Sequence, residues 1–385
     1  MRKVIGKIHL WLSMLVGIFI VLIGITGSLL VFEPDINHFI HPDLFKVTES
    51  KKVMYQQALE TVRNTYPKGE IQRVYTPNEP EAKGVYLFRL KEGEKQQSIY
   101  VDPGTGQING ALGDKTMFNM ILDFHRSLLL KDFKGEEIVG IIGMFFFLIT
   151  LSGIYLWWPG IKKWKNGFKM RRNKNVFVKN YDLHKVLGAV SIPFLLIVSL
   201  TGALFTYDET IFGWFGGKAK VTPPEENLIS KPLPTGKLPL DLLLSKAEKE
   251  VPKGIITQVR MPGMMKEGMA EGAVEIRLSR SYDPGNGNIR VWVDQYSGKI
   301  VGKLDPEINS GLLYQIWHHP LHTGTFGGIF TKILYAIGGL TPTILMFTGT
   351  YMWLFKKKNK SKESISSSII KSLFTLSNCE NPSVN

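Results

Sequence analysis

Four long stretches of this chain contain neither a charged residue nor a histidine, and they limit its fold more than any other feature. They cover residues 10–32, 138–158, 186–207 and 333–355, and each has 21 to 23 residues. A helix of about 20 apolar residues crosses the roughly 30 Å hydrocarbon core of a bilayer. Although the whole chain is only 44% hydrophobic, these stretches predict a membrane α-helical bundle with four transmembrane helices.

The first apolar stretch is predicted to be a retained helix and not a secretory signal. Arg2, Lys3 and Lys7 precede it, as basic residues precede the apolar part of a signal peptide. Its apolar part is longer than that of a signal peptide, however, and no small-x-small cleavage pattern follows it. We therefore expect an uncleaved transmembrane helix.

The basic residues are distributed very unevenly along the chain. Residues 1–9, 159–185 and 356–385 hold 18 Lys/Arg and three acids, whereas the rest holds 29 Lys/Arg and 30 acids. The positive-inside rule then predicts that both termini and the 159–185 segment are cytoplasmic. Because this orientation explains the net charge of +14, the charge gives no reason to expect a nucleic-acid partner. The single cysteine, Cys379, lies in the predicted cytoplasmic tail, so no disulfide is expected.

The two halves of the sequence repeat the same histidine and glycine spacing. In each half a histidine precedes the glycine of a Thr-Gly pair by 18 residues, and a second histidine precedes a later glycine by 28 or 27 residues. The four pairs are His9 with Gly27, His184 with Gly202, His125 with Gly153, and His322 with Gly349. Repeated spacing of this kind indicates an internal duplication.

The segments between the apolar stretches also correspond. Each has a short helical pattern, "MYQQALETVRNTYP" in one and "PLDLLLSKAEKEVP" in the other, followed by runs rich in strand-forming residues. Each then ends in a predicted hairpin, "IYVDPGTGQING" or "VWVDQYSGKIVG", with Asp and Gly four residues apart. We predict a small α+β domain in each segment. "GTGQING" is predicted to be a turn, because no phosphate-binding helix follows it.

These hairpins, together with the "FHRS" and "LHTG" histidines and the four apolar stretches, resemble the PepSY-associated transmembrane family over nearly the full length. The hairpin type is similar to that of PepSY domains. The family includes inner-membrane siderophore reductases and iron-regulated membrane proteins. The resemblance implies a bacterial cytoplasmic (inner) membrane protein that contains b-type haem and delivers electrons outward to iron(III)–siderophore complexes.

The domain boundaries expected on this basis alternate between membrane and soluble parts. They are transmembrane helix 1 (1–33), a first extracytoplasmic PepSY-like domain (34–120), an outer amphipathic segment with transmembrane helix 2 (121–158), a basic cytoplasmic loop (159–183), transmembrane helix 3 (184–207), a second extracytoplasmic PepSY-like domain (208–315), a His-rich segment with transmembrane helix 4 (316–355), and a cytoplasmic tail (356–385).

The duplication predicts two histidine pairs. Both halves enter the membrane from the same side, so the repeats are parallel, and a two-fold axis along the membrane normal preserves depth. His9 and His184 are then paired at the cytoplasmic side, and His125 and His322 at the outer ends of the second and fourth helices. Two imidazoles on facing helices suit the two axial positions of a b-type haem. We therefore predict two non-covalent b-type haems, whose iron is bound by these four histidines.

Several neighbouring residues have more than one interpretation. Lys7, Lys185 and Arg126 lie within two residues of a predicted ligand and suit haem propionates. Five glycines suit either close approach of a flat macrocycle or close helix packing; they are Gly17, Gly24, Gly27, Gly188 and Gly202. His318 and His319 have no counterparts in the first half, and Pro320 is expected to interrupt the helical path between them and His322. His319 remains an alternative to His322 as ligand.

The leading hypothesis is therefore a membrane oxidoreductase of the ferric-siderophore reductase type. No flavin, nicotinamide or other nucleotide fingerprint occurs in the chain, so the donor is expected to be a separate cytoplasmic reductase or a membrane quinol. The basic 159–185 segment suits docking of an acidic redox partner. Met261, Met264, Met265 and Met269 are a weaker candidate for a copper site.

Two other functions stay open. One is a transporter of iron complexes or haem without redox activity, which the duplication and the mid-span prolines Pro193 and Pro342 favour. Four helices are few for a carrier, however, and no ionisable residue lies within a predicted span. The other is a PepSY-type regulatory or adaptor membrane protein, which leaves the paired histidines unexplained.

Overall fold

The computed structural model describes residues 1–171, 174–218, 223, 228–230, 232–262, 272–285, 287–308 and 310–377. Met264, Met265, Met269 and Cys379 lie outside the described residues. The helices are α1 (Arg2–Leu30), α2 (Glu33–Ile40), α3 (Tyr55–Thr65), α4 (Met117–Ser127), α5 (Gly135–Trp157), α6 (Val176–Trp214), α7 (Leu240–Glu250), α8 (Leu313–Thr323) and α9 (Gly328–Ser377). The strands are β1 (Glu70–Tyr75), β2 (Tyr86–Glu92), β3 (Lys95–Val101), β4 (Ile108–Gly113), β5 (Ile255–Arg260), β6 (Val274–Ser279), β7 (Ile289–Val293) and β8 (Ile300–Leu304).

Four parts of the described chain are long and apolar enough to cross a membrane. They are Arg2–Leu30, Gly135–Trp157, Val176–Trp214 and Thr325–Asn359. Each of the four predicted apolar spans lies within one of these helices or ends within two residues of it. The prediction of a multi-pass helical membrane protein is confirmed. Helical hydrogen bonding continues beyond the apolar residues, so the helices are longer than the apolar spans. Helix α6, for example, begins before the apolar span and includes His184.

The chain forms two compact units. The first comprises Met1–Ile25, Ile141–Leu200 and the described part of Ile337–Asn385. Its helices approach closely at glycines: a Cβ at Gly17 would lie 2.6 Å from the sulfur of Met346, and one at Gly24 would overlap the carbonyl oxygen of Gly339. A Cβ at Gly188 would meet Leu345 at 3.7 Å. Gly17 and Gly24 therefore permit close helix packing, which was one of their two predicted roles, whereas a Cβ at Gly188 would make an ordinary contact.

The second unit comprises Thr26–Gly140 and Thr201–Ala336 and contains an antiparallel sheet of eight strands. The strand order is β4-β3-β2-β1-β5-β6-β7-β8. The strands follow in chain order from the central pair to each edge, as β1 to β4 on one side and as β5 to β8 on the other. The register is irregular between β1 and β2 and between β3 and β4, and equally between β5 and β6 and between β7 and β8. The segments that we predicted as two domains thus contribute four strands each to one sheet.

The helices α3 and α7 cover one face of this sheet and form a single hydrophobic core with strands from both segments. Ala58, Leu59 and Val62 of α3 and Leu243 and Ala247 of α7 are buried in that core. The two helices also cap each other. The carboxylate of Asp241 accepts hydrogen bonds from the first two N–H groups of α3, at 2.9 and 2.8 Å, and Gln56 accepts one from the N–H of Leu240 at 2.9 Å. Helix N-termini need such acceptors.

The predicted Asp and Gly turns are confirmed. The N–H of Gly106 donates to the carbonyl of Asp102 at 2.8 Å, and that of Gly298 donates to the carbonyl of Asp294 at 2.9 Å. Both glycines have a positive φ, 73° and 67°, which favours glycine. The "GTGQING" segment therefore joins β3 to β4, as predicted, and no helix follows directly.

The prediction that Pro320 interrupts the helix is wrong. Helix α8 continues from Leu313 to Thr323, with Pro320 inside it. A proline removes one backbone donor, and the buried Pro320 packs against Gly285, where a Cβ would lie 2.7 Å from its ring. In addition, α4 and α8 are separate short helices that precede α5 and α9. His125 and His322 therefore lie on these helices and not on the ends of the long ones.

Candidate cofactor-binding site

His9 of α1 contacts a serine and a glycine of α5. Its Nδ1 lies 2.8 Å from Oγ of Ser152. A Cβ at the next residue, Gly153, would come 3.6 Å from Cε1 of the imidazole. The hydroxyl and the glycine thus provide one hydrogen-bond partner and a flat surface for the ring.

His184 of α6 has the same environment on α9. Its Nδ1 lies 2.8 Å from Oγ1 of Thr348, and a Cβ at Gly349 would come 3.4 Å from Cε1 of the ring. His184 thus has the same two kinds of neighbour as His9, a hydroxyl and a glycine. The pairing of the two histidines stays a prediction.

The hydrogen-bond network assigns the tautomer of both rings. The Ser152 hydroxyl donates to the carbonyl of Ile149 at 2.7 Å, and the Thr348 hydroxyl donates to that of Ile344 at 2.7 Å. A hydroxyl has only one hydrogen, so while it donates to the carbonyl it accepts from the imidazole, and Nδ1 is then the protonated nitrogen. Nε2 then has the lone pair and is the nitrogen that can bind a metal.

The second pair has the same arrangement in the other unit. Nδ1 of His125 lies 3.1 Å from Oγ1 of Thr26, and Nδ1 of His322 lies 2.9 Å from Oγ1 of Thr201. A Cβ at Gly27 would lie 2.9 Å from the His125 ring, and one at Gly202 would lie 3.3 Å from the His322 ring. Gly27 and Gly202 therefore make room for imidazoles, a role that neither of their predicted interpretations included.

The distance between His125 and His322 suits two ligands of one metal. Their ring centroids are 6.2 Å apart with an interplanar angle of 61°. Two metal–imidazole bonds of about 2.0–2.1 Å place the bonding nitrogens roughly 4 Å apart and the ring centroids roughly 6 Å apart. His125 and His322 would thus be the residues that hold one iron between them.

Comparison with known proteins identifies the family. A family model described as the PepSY-associated TM region matches residues 7–356. The chain belongs to this PepSY-associated transmembrane family. It is also 26% identical over 262 residues to the uncharacterized protein PA4219 of Pseudomonas aeruginosa. That match covers 62% of this chain and 64% of the relative.

The PepSY-associated fold places the other charged candidates in different environments. Lys7 is exposed on α1. The Lys185 ammonium donates to the carbonyls of Asn166 and Lys169, at 3.3 and 3.0 Å, and lies 3.5 Å from the Asp182 carboxylate. Arg126 forms a half-exposed ion pair with Glu136 at 3.1 Å. Lys185 and Arg126 thus already have protein partners, and a propionate would compete with them.

His318 belongs to a row of polar and aromatic side chains next to His125 and His322. Its Nε2 lies 2.8 Å from the carbonyl of Thr201, and its Nδ1 lies 3.2 Å from the hydroxyl of Tyr314. Its ring centroid is 4.2 Å from that of Phe205, which also contacts His322 at 5.1 Å. Both nitrogens of His318 therefore have a partner. His319 is exposed.

Within the described ranges, no group of three or more His, Cys, Asp or Glu side chains has the arrangement of a metal site. A haem supplies four of the six ligands of its iron from the porphyrin, so two histidines are sufficient. Each histidine pair fits this donor requirement. Sequence analysis used the Thr-Gly pairs at Gly27 and Gly202 only as markers of the repeat. The signal that it missed is that a hydroxyl residue precedes all four glycines and is a hydrogen-bond partner for a histidine, in Ser152-Gly153, Thr348-Gly349, Thr26-Gly27 and Thr201-Gly202.

Proposed function

We propose that this PepSY-associated protein is an internally duplicated transmembrane electron-transfer protein with two b-type haems. His9 and His184 would hold one haem, and His125 and His322 the other. The observation that supports this most directly is that all four histidines have Nδ1 against a hydroxyl of a Ser/Thr-Gly pair. The duplication copies any one contact into both halves, but it does not explain why the two histidines within each half share the same kind of contact.

The protein residues around each pair have defined roles in this proposal. The hydroxyls fix the orientation of the imidazoles and leave Nε2 as the ligand atom, as groups behind metal ligands commonly do. The glycines allow the rings to lie flat against the neighbouring helix. When bound, b-type haem supplies one-electron chemistry that amino-acid side chains lack.

Charge and helix position give the proposed direction of transfer. On α1, His9 lies seven residues after the first residue of the helix, and Thr26, the partner of His125, lies four residues before its last. The excess of basic residues lies in residues 1–9, 159–185 and 356–385, and the first two of these segments contain His9 and His184. By the positive-inside rule, the His9–His184 pair would lie at the cytoplasmic side and the sheet unit outside.

The proposed acceptor is an extracytoplasmic iron(III) complex such as a ferric siderophore. Reduction of each iron(III) consumes one electron, which a separate cytoplasmic reductase or a membrane quinol would supply. The support for this acceptor is the PepSY-associated family resemblance together with the outer position that the positive-inside rule predicts for the second pair. Transport of the complex without redox chemistry, or an adaptor role, are the alternatives that the following test separates.

The test uses proteoliposomes that contain the full chain, an internal chemical reductant and an external ferric chelate that does not cross membranes. External ferrous iron, trapped by a colorimetric chelator, should appear at a rate that depends on the protein. The double variant His9→Ala/His184→Ala should abolish this rate. Uptake of the chelate without iron reduction would support transport, and the absence of both would support an adaptor role.

A further inference from the structure

The sheet face opposite α3 and α7 has an unusual concentration of arginines. Cross-strand register places Arg73 opposite Arg260, and Arg277 opposite both Gln258 and Arg290. Glu275 and Trp292 belong to the same face, since they are two residues from Arg277 and Arg290 on their strands. We call this surface, formed by Arg73, Gln258, Arg260, Arg277, Arg290, Glu275 and Trp292, the arginine face.

The positive charge of the arginine face is only partly balanced. Glu275 is paired with Nε of Arg277 at 2.6 Å and lies 3.8 Å from Arg260. Among the described residues, Arg73 and Arg290 have no carboxylate partner. Burial, with the neighbouring Arg277 charge, lowers the pKa of Arg260 to about 10. Like charges directly opposite each other destabilise a sheet, so a structural role alone does not explain this arrangement.

Buried hydrogen-bond donors without acceptors lie on the same face. Four described buried side-chain atoms have no partner, and three of them are Nε2 of Gln258, Nε of Arg260 and Nε1 of Trp292. Gln258 and Trp292 are only 7% and 3% exposed. Leaving a buried donor unpaired costs about 1–3 kcal/mol. These unpaired donors, next to Arg73 and Arg290 without a described carboxylate partner, indicate that an acceptor-rich anion completes this surface.

The arginine face is connected to the second histidine pair through one loop. Gly287, in the connection between β6 and β7, packs against the Arg277 side chain, where a Cβ would lie 3.2 Å away. Gly285 of the same connection packs against Pro320 of α8, two residues before His322. The β6–β7 connection therefore contacts both the arginine face and the helix that contains His322.

We infer that the arginine face binds a small anion with several carboxylate groups. Planar guanidinium groups bind carboxylate or phosphate oxygens in pairs. Apart from the Glu275 carboxylate and the Gln258 carbonyl oxygen, the side chains of the face offer only donors. Carboxylate and phosphate share this chemistry. The proposed function, on which this step rests, requires an iron(III) complex as substrate. The ligand class is therefore an anionic iron(III) polycarboxylate chelate.

Binding is tested by isothermal titration calorimetry on the full chain in a nonionic detergent. The probes are citrate, iron(III) citrate, inorganic phosphate and a neutral iron(III) trishydroxamate. Citrate and its iron complex should bind, with phosphate weaker and the neutral chelate weakest. Arg290→Gln and Arg73→Gln should each weaken citrate binding about tenfold to hundredfold, since each removes charge-assisted hydrogen bonds. Arg63→Gln, on the exposed surface of α3, is the matched control and should bind as the wild type does.

Thermal unfolding separates a binding role from a structural one. Without anion, Arg290→Gln should be as stable as the wild type or more stable, because it removes a repelling charge. Saturating citrate should raise the unfolding temperature of the wild type and raise that of the variant less. A variant that unfolds earlier without anion, yet binds citrate like the wild type, would overturn the inference. Absence of citrate binding, or tighter binding of phosphate than of citrate, would also overturn it.

Citrate binding does not require haem, so the two proposals fail separately. A protein without haem that still binds citrate through Arg290 and Arg73 would refute the proposed electron transfer and leave the anion site standing. A protein with two haems that binds none of the anions would refute the anion site alone.

Discussion

At the scale of single residues, the hydroxyl partners define what each histidine can do. An imidazole whose Nδ1–H is fixed presents Nε2 in one direction, which a freely rotating ring would not. The cost of losing such a partner is typically a 10- to 100-fold loss of metal affinity or activity. The Ser/Thr-Gly pairs are therefore as much a part of the proposed sites as the histidines.

Thr348→Val tests this role, because valine has nearly the same shape without the hydroxyl. We expect the variant to keep its fold, to bind haem at the His9–His184 site more weakly by about 10- to 100-fold, and to shift the midpoint potential of that site. Thr348→Ser keeps the hydroxyl and is the control. A redox titration followed by absorbance measures both properties. Equal potentials and haem content in all three proteins would show that the hydroxyl has no such role.

The choice between His322 and His319 is also made at residue scale. His322 has the Thr201 partner and faces His125, whereas His319 is exposed. We expect His322→Ala to lose one of two haems and His319→Ala to keep both, as measured by pyridine haemochrome. His184→Ala should likewise lose about half the haem and preserve the spectrum of the other site. Loss of haem in His319→Ala with retention in His322→Ala would reverse the assignment.

Sequence analysis found the four histidines but not their partners. Spacing related His9 to Gly27 and His184 to Gly202, which share a helix with them, whereas in the structure His9 contacts Gly153 and His184 contacts Gly349. A repeat in sequence marks equivalent positions and not contacts. Contacts between helices depend on how the helices pack, and four apolar helices with many small residues allow several packings.

At the scale of elements, the spanning helices and the hairpin turns were predictable because hydrophobic length and Asp/Gly chemistry act locally. Helix α8 was not. A proline inside a short helix is unfavourable on its own, and its tolerance depends on the packing of Pro320 against Gly285. The pairing of β1 with β5 was not predictable either, because these strands are separated by about half the chain and no local pattern specifies their partner.

The buried ion pair after β8 gives an element-scale prediction. Arg280 donates two hydrogen bonds to Asp305, at 2.9 and 2.8 Å, and both side chains are almost fully buried. These hydrogen bonds from Arg280 outweigh burial and hold the pKa of Asp305 below its usual value. Asp305→Asn leaves Arg280 with only the half-exposed carboxylate of Glu307, 3.3 Å away. We therefore expect a loss of about 1–3 kcal/mol in the free energy of unfolding at neutral pH.

The pH dependence of this loss follows from the lowered pKa. The ionised Asp305 stabilises the fold above the unfolded-state pKa of about 3.9, and the stabilisation decreases as pH falls through the lower folded-state pKa. Thermal unfolding in nonionic detergent should therefore show a difference between wild type and Asp305→Asn that is large at pH 7 and shrinks towards pH 3. Asp43→Asn, in an exposed pair with Lys46, should show little difference at either pH. A difference for Asp305→Asn that grows in acid would contradict this account.

At the scale of the whole molecule, the two segments outside the spans share one sheet and one core. Neither helix alone covers its strands, since α3 and α7 contribute to the same cluster of buried side chains and cap each other. We therefore expect the segments to unfold together. Separate expression of residues 34–120 would expose the edge of β1 that pairs with β5 in the intact chain.

The central claim is that this membrane protein holds two haems, each between two histidines. The most direct measurement is the haem content of the purified full chain, by pyridine haemochrome, together with its dithionite-reduced minus oxidised spectrum. We predict two b-type haems per chain with the bands of low-spin, bis-histidine iron. A protein expressed with ample haem and purified in folded form, yet containing none, would contradict the account.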